Sequence, residues 1–259
     1  RHEKSAMPVT KVSFGYKQVT PEEKKKLVHE QFSPIASTYD LADAILSAGL
    51  DSRWRKKGIS LLGLRDGDVI LDVCGGTGDF ALLAAAAAGG KSRAVIYDFN
   101  RAMIDAGKDK VRRSPHQGNI STVQGDAEKI AFRDGAFHAV TVGFGVRNFG
   151  RLEEGLKEMG RVLKPRGKLL ILEFSLPVRA WQKSLYHFYS FKIMPVVAKI
   201  ICGTNGPFKY LAESIRVFLQ PEQMADLLRR LGFSEVIFRR LTSGLAVLYV
   251  ATKDETYLR

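Results

Sequence analysis

Long hydrophobic runs are missing from this 259-residue sequence. The longest, Phe80 to Ala88, falls far short of the ~20 residues that a membrane-spanning helix needs. Cysteine is nearly absent: Cys74 and Cys202 are the only two. A pair makes neither a disulfide framework nor a thiolate metal centre, and a reducing cytoplasm is the compartment it suits. No group of His, Cys, Asp or Glu has ligand spacing, so no metal is expected. No basic, then apolar, leader opens the chain; Arg1 to Ala6, ahead of Met7, read as an expression remnant and are set aside. Acidic residues are in deficit, 27 Asp+Glu against 40 Lys+Arg, which leaves +13. A surplus of that sign suits nucleic acid, anionic lipid or acidic small molecules. A hydrophobic content of 45% is enough for a core, and the length fits one large domain or a domain with an appended lobe.

What the chain does have is a glycine loop between a strand and a helix. Val69-Ile70-Leu71-Asp72-Val73 is apolar at four of five positions, the pattern of a buried strand. Gly75, Gly76 and Gly78 surround Thr77, and Phe80 to Ala88 is mostly strong helix formers. Glycine lets a backbone approach a ligand, and a helix N-terminus offers free N–H groups. This is the layout of a nucleotide-type cofactor site. Asp98 lies twenty residues after Gly78, at the end of the apolar Ala94–Tyr97 segment, where a ribose-binding acid belongs. NAD and S-adenosylmethionine (SAM) both satisfy that spacing. Asp72 favours SAM: a carboxylate inside the strand suits a ligand carrying an ammonium and a sulfonium, and repels a pyrophosphate.

Met7 to Thr20 shows no period and reads as an irregular arm (1–20) ahead of one domain (21–259). Pro21 to Phe32 reads as a helix, capped by Thr20, with Glu22-Glu23 at its positive end and Lys24-Lys25-Lys26 as a solvated face. Tyr39 sits between the Pro34 break and a second helix, Asp43 to Leu62, whose later half carries Arg53-Trp54-Arg55-Lys56-Lys57. Strands are expected at 93–98, 120–124, 137–142 and 168–174, with helices at 101–113 and 152–163. That alternation is the α/β pattern of a parallel, doubly wound sheet, which binds ligands at the carboxyl ends of its strands. The residues to read are therefore 75–79, 98–103, 126–127, 143–148 and 173–175. From Pro177 to Phe218 the pattern gives way to an aromatic stretch, Trp181, Tyr186, Phe188 and Phe191 among Lys183, Lys192 and Lys199, which reads as a helical lid. A helix at 221–231 and a hairpin, 236–240 and 245–252 about Ser243-Gly244, close the chain.

Six stretches occur in one order: Phe32…Ala36…Tyr39-Asp40; Leu71-Asp72…Gly75-Gly76-Thr77-Gly78-Asp79; Phe144-Gly145…Arg147-Asn148; Arg161-Val162-Leu163-Lys164-Pro165…Gly167; Leu172-Glu173-Phe174-Ser175; and Tyr210-Leu211-Ala212-Glu213-Ser214-Ile215-Arg216. Together they resemble the ubiquinone/menaquinone biosynthesis C-methyltransferase family, from about Val28 to Thr252. The glycine loop is common to SAM methyltransferases; the third and sixth stretches are much more specific. The resemblance implies a class I SAM-dependent methyltransferase fold, Rossmann-like, with a seven-stranded, mostly parallel sheet, N-terminal helices and the lid. It implies SAM as donor and a polyprenylated quinol as acceptor, methylated on carbon, demethylmenaquinol to menaquinol foremost. It further implies that Thr77 and the backbone of Gly75, Gly76 and Gly78 hold the methionyl part. Asp98 would meet both ribose hydroxyls, Asp126 the adenine amine, the Ala127 N–H the ring, and Met103 the adenine face. Gly143 stands where relatives often carry Ser, and Asp43 where Asn usually follows the Tyr-Asp pair, so those two contacts differ here.

Carbon methylation of a quinol gains from deprotonating the neighbouring hydroxyl, and a phenol pKa near ~10 is too high for neutral pH unless the site stabilises the anion. Arg147, always protonated, is the candidate to pair with the phenolate and order a water that removes the proton. Asn148 and Tyr39 would orient the ring, and His187 is the one histidine retained as a proton acceptor. An RNA or other small-molecule SAM methyltransferase is the competing class; an apolar lid and no appended RNA module weigh against RNA, and no nucleic-acid partner is expected. A non-catalytic scaffold would not need Asp72, Asp98 and Arg147-Asn148 together. Since a prenyl tail lies in the bilayer, peripheral contact with the inner face of an anionic membrane is expected, through the second helix and the lid. A homodimer is left open.

Overall fold

A computed structural model describes residues 10–255; the expected remnant at 1–6 and the start of the arm lie outside them. The rest of the arm is not irregular. β1 (Val12–Phe14) and β2 (Lys17–Val19) form an antiparallel hairpin, and Phe14 stacks on Tyr210 at 4.3 Å. Three-residue strands are too short to show a period of two, which is why the sequence pattern missed them.

α1 (Pro21–Phe32) starts as expected, Thr20 accepting from the Glu23 N–H. Of its three lysines only Lys26 is solvated as expected. Lys24 is 7% exposed and donates to the Arg147 carbonyl at 2.9 Å, while Lys25 pairs with Asp126 and Glu128 at 2.7 and 2.8 Å. The second helix is two helices. α2 (Tyr39–Leu46) and α3 (Leu50–Leu62) are separated where Ala48 and Gly49 take left-handed φ values of 51° and 70°. The apolar period runs on through that break, so it could not show it.

The main sheet contains β3 (Val69–Val73), β4 (Arg93–Asp98), β5 (Ile120–Gln124), β6 (Phe137–Gly143), β7 (Leu163–Phe174), β8 (Phe233–Leu241) and β9 (Ala246–Lys253), in the order β5-β4-β3-β6-β7-β9-β8. All pairs are parallel except those of β9, which runs antiparallel to both neighbours. Alternation along the strands separates two cores. Leu71, Val73, Val140 and Val142 face α6 (Leu152–Val162) and α10 (Pro221–Arg230) through Leu156, Met159, Met224 and Leu228. Ile70, Ala139 and Leu170 face α3 and α4 (Asp79–Ala86) through Trp54, Ile59, Phe80 and Ala84. Both faces are covered, as a parallel sheet requires. Truncating a fully buried leucine such as Leu71 to alanine should cost about 2–5 kcal/mol.

α5 (Arg101–Arg112) follows β4, and the chain crosses β3 on its way from β5 to β6. The carboxyl end of β3 is thus a topological switch point, the place where such sheets bind ligands. Over that end lies the expected lid: α7 (Ala180–Phe188), a π-helical segment at Tyr189–Ile193, α8 (Met194–Cys202) and α9 (Gly206–Val217). Ile35 and Ala42 pack it through Met194, Ala198, Phe208 and Ala212. Among the described residues no helix is long and apolar enough to cross a membrane.

Candidate active site

Two cavities meet at the carboxyl ends of the strands. The first, about 150 Å³, is a cleft on the glycine loop. The loop turns tightly: Gly78 has φ +92°, and a Cβ there would lie 2.6 Å from Ile96 Cδ1, so only glycine fits. Gly78 serves the turn and caps α4, while Gly75, Gly76 and Thr77 line the cleft.

Asp72 is 1% exposed. It accepts from Thr141 Oγ1 at 2.8 Å and the Ala81 N–H at 3.1 Å. Among the described residues no cation pairs with it, and burial pushes its carboxyl up to about 7. A buried acid lacking a counter-ion is the complement of a cationic ligand group. Asp98 accepts from the Gly76 and Asn100 N–H groups at 2.9 and 2.7 Å, one on each oxygen, which leaves a lone pair free on each. Burial raises its pKa as well. Asp126 accepts from the Glu128 N–H at 2.9 Å and is held by Lys25. Ala127 and Met103 are buried in the same wall.

Two predicted positions carry more partners than the sequence suggested. Thr77 Oγ1 donates to Asp40 at 2.6 Å and accepts from Lys110 at 2.9 Å, and Lys110 reaches Asp40 and Asp79, both at 2.7 Å. That network ties α2 to α5 across the loop. At Gly143 a Cβ would lie 2.8 Å from both Arg55 Nη1 and Phe80 Cε2; the missing side chain makes room for a guanidinium. Arg55 therefore does not belong to an outward basic patch. It is 6% exposed, reaches Asp43, Asp79 and Asp51 at 3.1, 3.6 and 3.7 Å, and lies against the rings of Phe80 and Phe144. Trp54 is buried too, its indole N–H donating to Thr242 at 2.9 Å. Three acids and two rings outweigh the cost of burying the cation.

Arg147, the residue expected to face the phenolate, is buried and already paired. It is 5% exposed, and its Nη1 donates to Glu173 Oε1 and the Phe144 carbonyl, both at 2.5 Å. The Glu173 carboxylate also accepts from the Arg147 backbone N–H at 3.3 Å. A lone cation with both cavities at its side would be costly to bury; Glu173, 1% exposed at the end of β7, supplies the counter-charge. Asn148 Oδ1 accepts from Tyr210 at 2.9 Å. Tyr39 opens α2 and lines both cavities, and burial pushes its hydroxyl pKa up. His187 is exposed against Phe191 and lines neither cavity, whereas His29 lines the cleft.

The second cavity, about 700 Å³, shares Phe32, Tyr39 and Arg147 with the first. Its walls are otherwise mostly apolar residues of α2, the lid and the 242–245 turn; among the described residues the only charged ones are Asp43 and Arg147.

The sequence profile of the ubiE/COQ5 methyltransferase family matches residues 17–253. The ubiquinone/menaquinone biosynthesis C-methyltransferase UbiE of Pseudomonas fluorescens is 39% identical over 240 residues, 93% of this chain and 94% of that one. The chain belongs to the ubiE/COQ5 methyltransferase family. Its relative of the same name from Idiomarina loihiensis is 37% identical over 92% of this chain and 95% of its own. Two solved structures share the fold: Haemonchus contortus phosphoethanolamine N-methyltransferase 2 in complex with SAM (TM-score 0.59, 15% identity, 78% of this chain and 53% of that), and a SAM-dependent methyltransferase of Thermotoga maritima (TM-score 0.59, 17% identity, 88% and 100%). The methyltransferase is thus a class I α/β enzyme. Sequence reasoning gave no individual role to Arg55 and Lys25, which line the cleft, or to Lys110, Glu173 and Tyr210 beside it. Glu173 and Tyr210 were marked only by their place in the family's stretches, and Glu173 also as a charge at a strand's carboxyl end.

Proposed function

We propose that this methyltransferase moves the SAM methyl to a ring carbon of a polyprenylated quinol in menaquinone or ubiquinone biosynthesis, demethylmenaquinol to menaquinol foremost, at the inner face of the cytoplasmic membrane. The observation that carries the reading is the large apolar cavity opening beside Arg147 and Tyr39 onto the glycine-loop cleft. An apolar chamber of that size suits a prenylated ring far better than a phosphate-rich nucleic acid.

The cleft fits SAM. Asp72 faces the ammonium and sulfonium end, Thr77 and the Gly75–Gly76 backbone the methionyl part. Asp98 keeps a free lone pair on each oxygen for the ribose hydroxyls, and Asp126, Ala127 and Met103 border the adenine. Bound there, SAM supplies an electrophilic methyl group. Arg147, held by Glu173, stabilises the ring oxygen as it gains charge; Tyr39 donates to a ring oxygen, and Asn148 is steadied by Tyr210. The lid keeps water from the reacting face.

Membrane contact rests on the lid around the mouth of the second cavity. Trp181, Leu185 and Phe188 line that cavity yet are 62%, 61% and 56% exposed, and Ile200, outside its lining, is 79% exposed. Exposed Lys183, Lys192 and Lys199 flank them, a composition that suits an interface with anionic lipid. On α3 only Arg53, Lys56 and Lys57 remain outward. The test is label transfer from SAM to reduced demethylmenaquinone and to its benzoquinol counterpart. Transfer to the naphthoquinol supports the reading; transfer to neither overturns it.

A further inference from the structure

A quinol hydroxyl must lose its proton before its ring can attack, and among the groups that line the acceptor cavity very few can take one. Arg147 is permanently protonated. Tyr39, Tyr186 and Tyr189 hold their protons more firmly than free tyrosine because burial disfavours the phenolate, Tyr186 being pushed up to about 12. No histidine or lysine lines the cavity among the described residues. The remaining acid–base group is Asp43.

Asp43 follows Tyr39 by one turn of α2, so both project from one face of the helix. Its Oδ2 accepts from Arg55 Nη2 at 3.1 Å, and its other oxygen has no hydrogen-bond partner among the described residues. The charged and titratable groups around it are Arg55 and Asp51 on α3, Asp79 on α4 and Tyr39 on its own helix; the lid adds no charged lining residue. We infer that in this chain Asp43, which stands where relatives usually carry Asn, is the proton acceptor for the hydroxyl of the bound quinol ring, an assignment that rests on the quinol reading above. The hydroxyl O–H bond breaks towards Asp43, and its electron pair passes through the ring oxygen to the neighbouring ring carbon. That carbon forms the new C–C bond as the methyl–sulfur bond breaks and leaves its pair on sulfur. The methylated carbon then loses its hydrogen to water as a proton, and the ring oxygen recovers the proton from Asp43. One proton leaves per turnover, and Asp43 is ready again.

Burial pushes the Asp43 carboxyl up to about 6, with Arg55 pulling it back. It is therefore ionised at neutral pH yet far more basic than a surface aspartate, the compromise a general base needs. Arg55 has a second use here: it fixes one oxygen and leaves the other without a hydrogen bond among the described residues, on a side chain that lines the cavity.

The experiment is the pH profile of single-turnover methyl transfer to a short-prenyl naphthoquinol by the unaltered enzyme, Asp43→Asn and Asp43→Glu, with SAM affinity of each measured by calorimetry. The unaltered enzyme should lose activity on the acid side with an apparent pKa near that of Asp43. Asp43→Asn should lower turnover at pH 7.5 by about 100-fold or more, lose the acid limb, and bind SAM as before. Asp43→Glu should restore the limb and part of the rate. An Asn variant with unchanged turnover and an unchanged acid limb overturns the inference. So does a parallel loss of SAM affinity, which would assign Asp43 to holding Arg55. If the unaltered enzyme binds SAM but methylates no quinol, the substrate reading fails first and the inference with it.

Discussion

Glu173→Gln should unfold this protein more readily than its single-atom change suggests. Both side chains of the Arg147–Glu173 pair are nearly sealed from solvent, at 3% and 2% exposure, and lie 2.5 Å apart. Removing one charge leaves a guanidinium in a low-dielectric wall with the Phe144 carbonyl but no counter-charge. Such losses run to about 3–5 kcal/mol, because the stranded charge pays its desolvation without return. For a domain of this size that is roughly 6–20 °C in Tm. Replacing both residues, Arg147→Met with Glu173→Gln, removes the stranded charge as well, so the double variant should recover most of the loss of the single Glu173→Gln variant. Thermal unfolding by circular dichroism on the four proteins closes the cycle. If the double variant is as unstable as the sum of the single ones, the two groups are not coupled and Glu173 is not what makes Arg147 tolerable there.

Three further outcomes follow, two from the cleft and one from the lid. Asp98→Ala should weaken SAM by about 2–3 kcal/mol, the scale of hydrogen bonds to a charged group; calorimetry giving an unchanged affinity would remove it from the site. SAM affinity should fall as pH drops through about 7, where Asp72 takes up a proton, and Asp72→Asn should bind weakly with a flat profile; in the ligand-free protein the same raised pKa works against stability as pH rises from the ordinary carboxylate range to about 7, and levels off above it. The protein should sediment with anionic but not neutral vesicles at low salt and be released at high salt, with Trp181→Ser and Lys183→Glu together reducing binding; recovery in the supernatant with anionic vesicles at low salt would contradict the lid-docking proposal.

The sheet and the glycine loop were legible because their signals are local. A buried parallel strand is an apolar run, and a loop that must take φ +92° at Gly78 announces itself by glycine. The partners that finish the site are not local. Lys24, Lys25 and Lys26 are identical in sequence, and only the docking of α1 against the 146–148 turn decides that the first is buried and the second pairs with Asp126. Arg55 sat in what read as a basic stripe; its three acids come from α2, its own helix and the start of α4. No periodicity along one helix contains that information. The break at Ala48-Gly49 was hidden for another reason, since a helix that stops and restarts can keep its apolar face in step.

The central claim is carbon methylation of a quinol ring, and the most direct measurement is the location of the transferred methyl. Incubation with SAM labelled with carbon-13 in the methyl group and a reduced demethylmenaquinone of short tail, followed by NMR of the extracted product, reads it in one spectrum. The account predicts a labelled methyl bonded to ring carbon, formed in the Asp98-dependent reaction. A label on oxygen, or a quinol recovered unlabelled from enzyme that binds SAM, would contradict it.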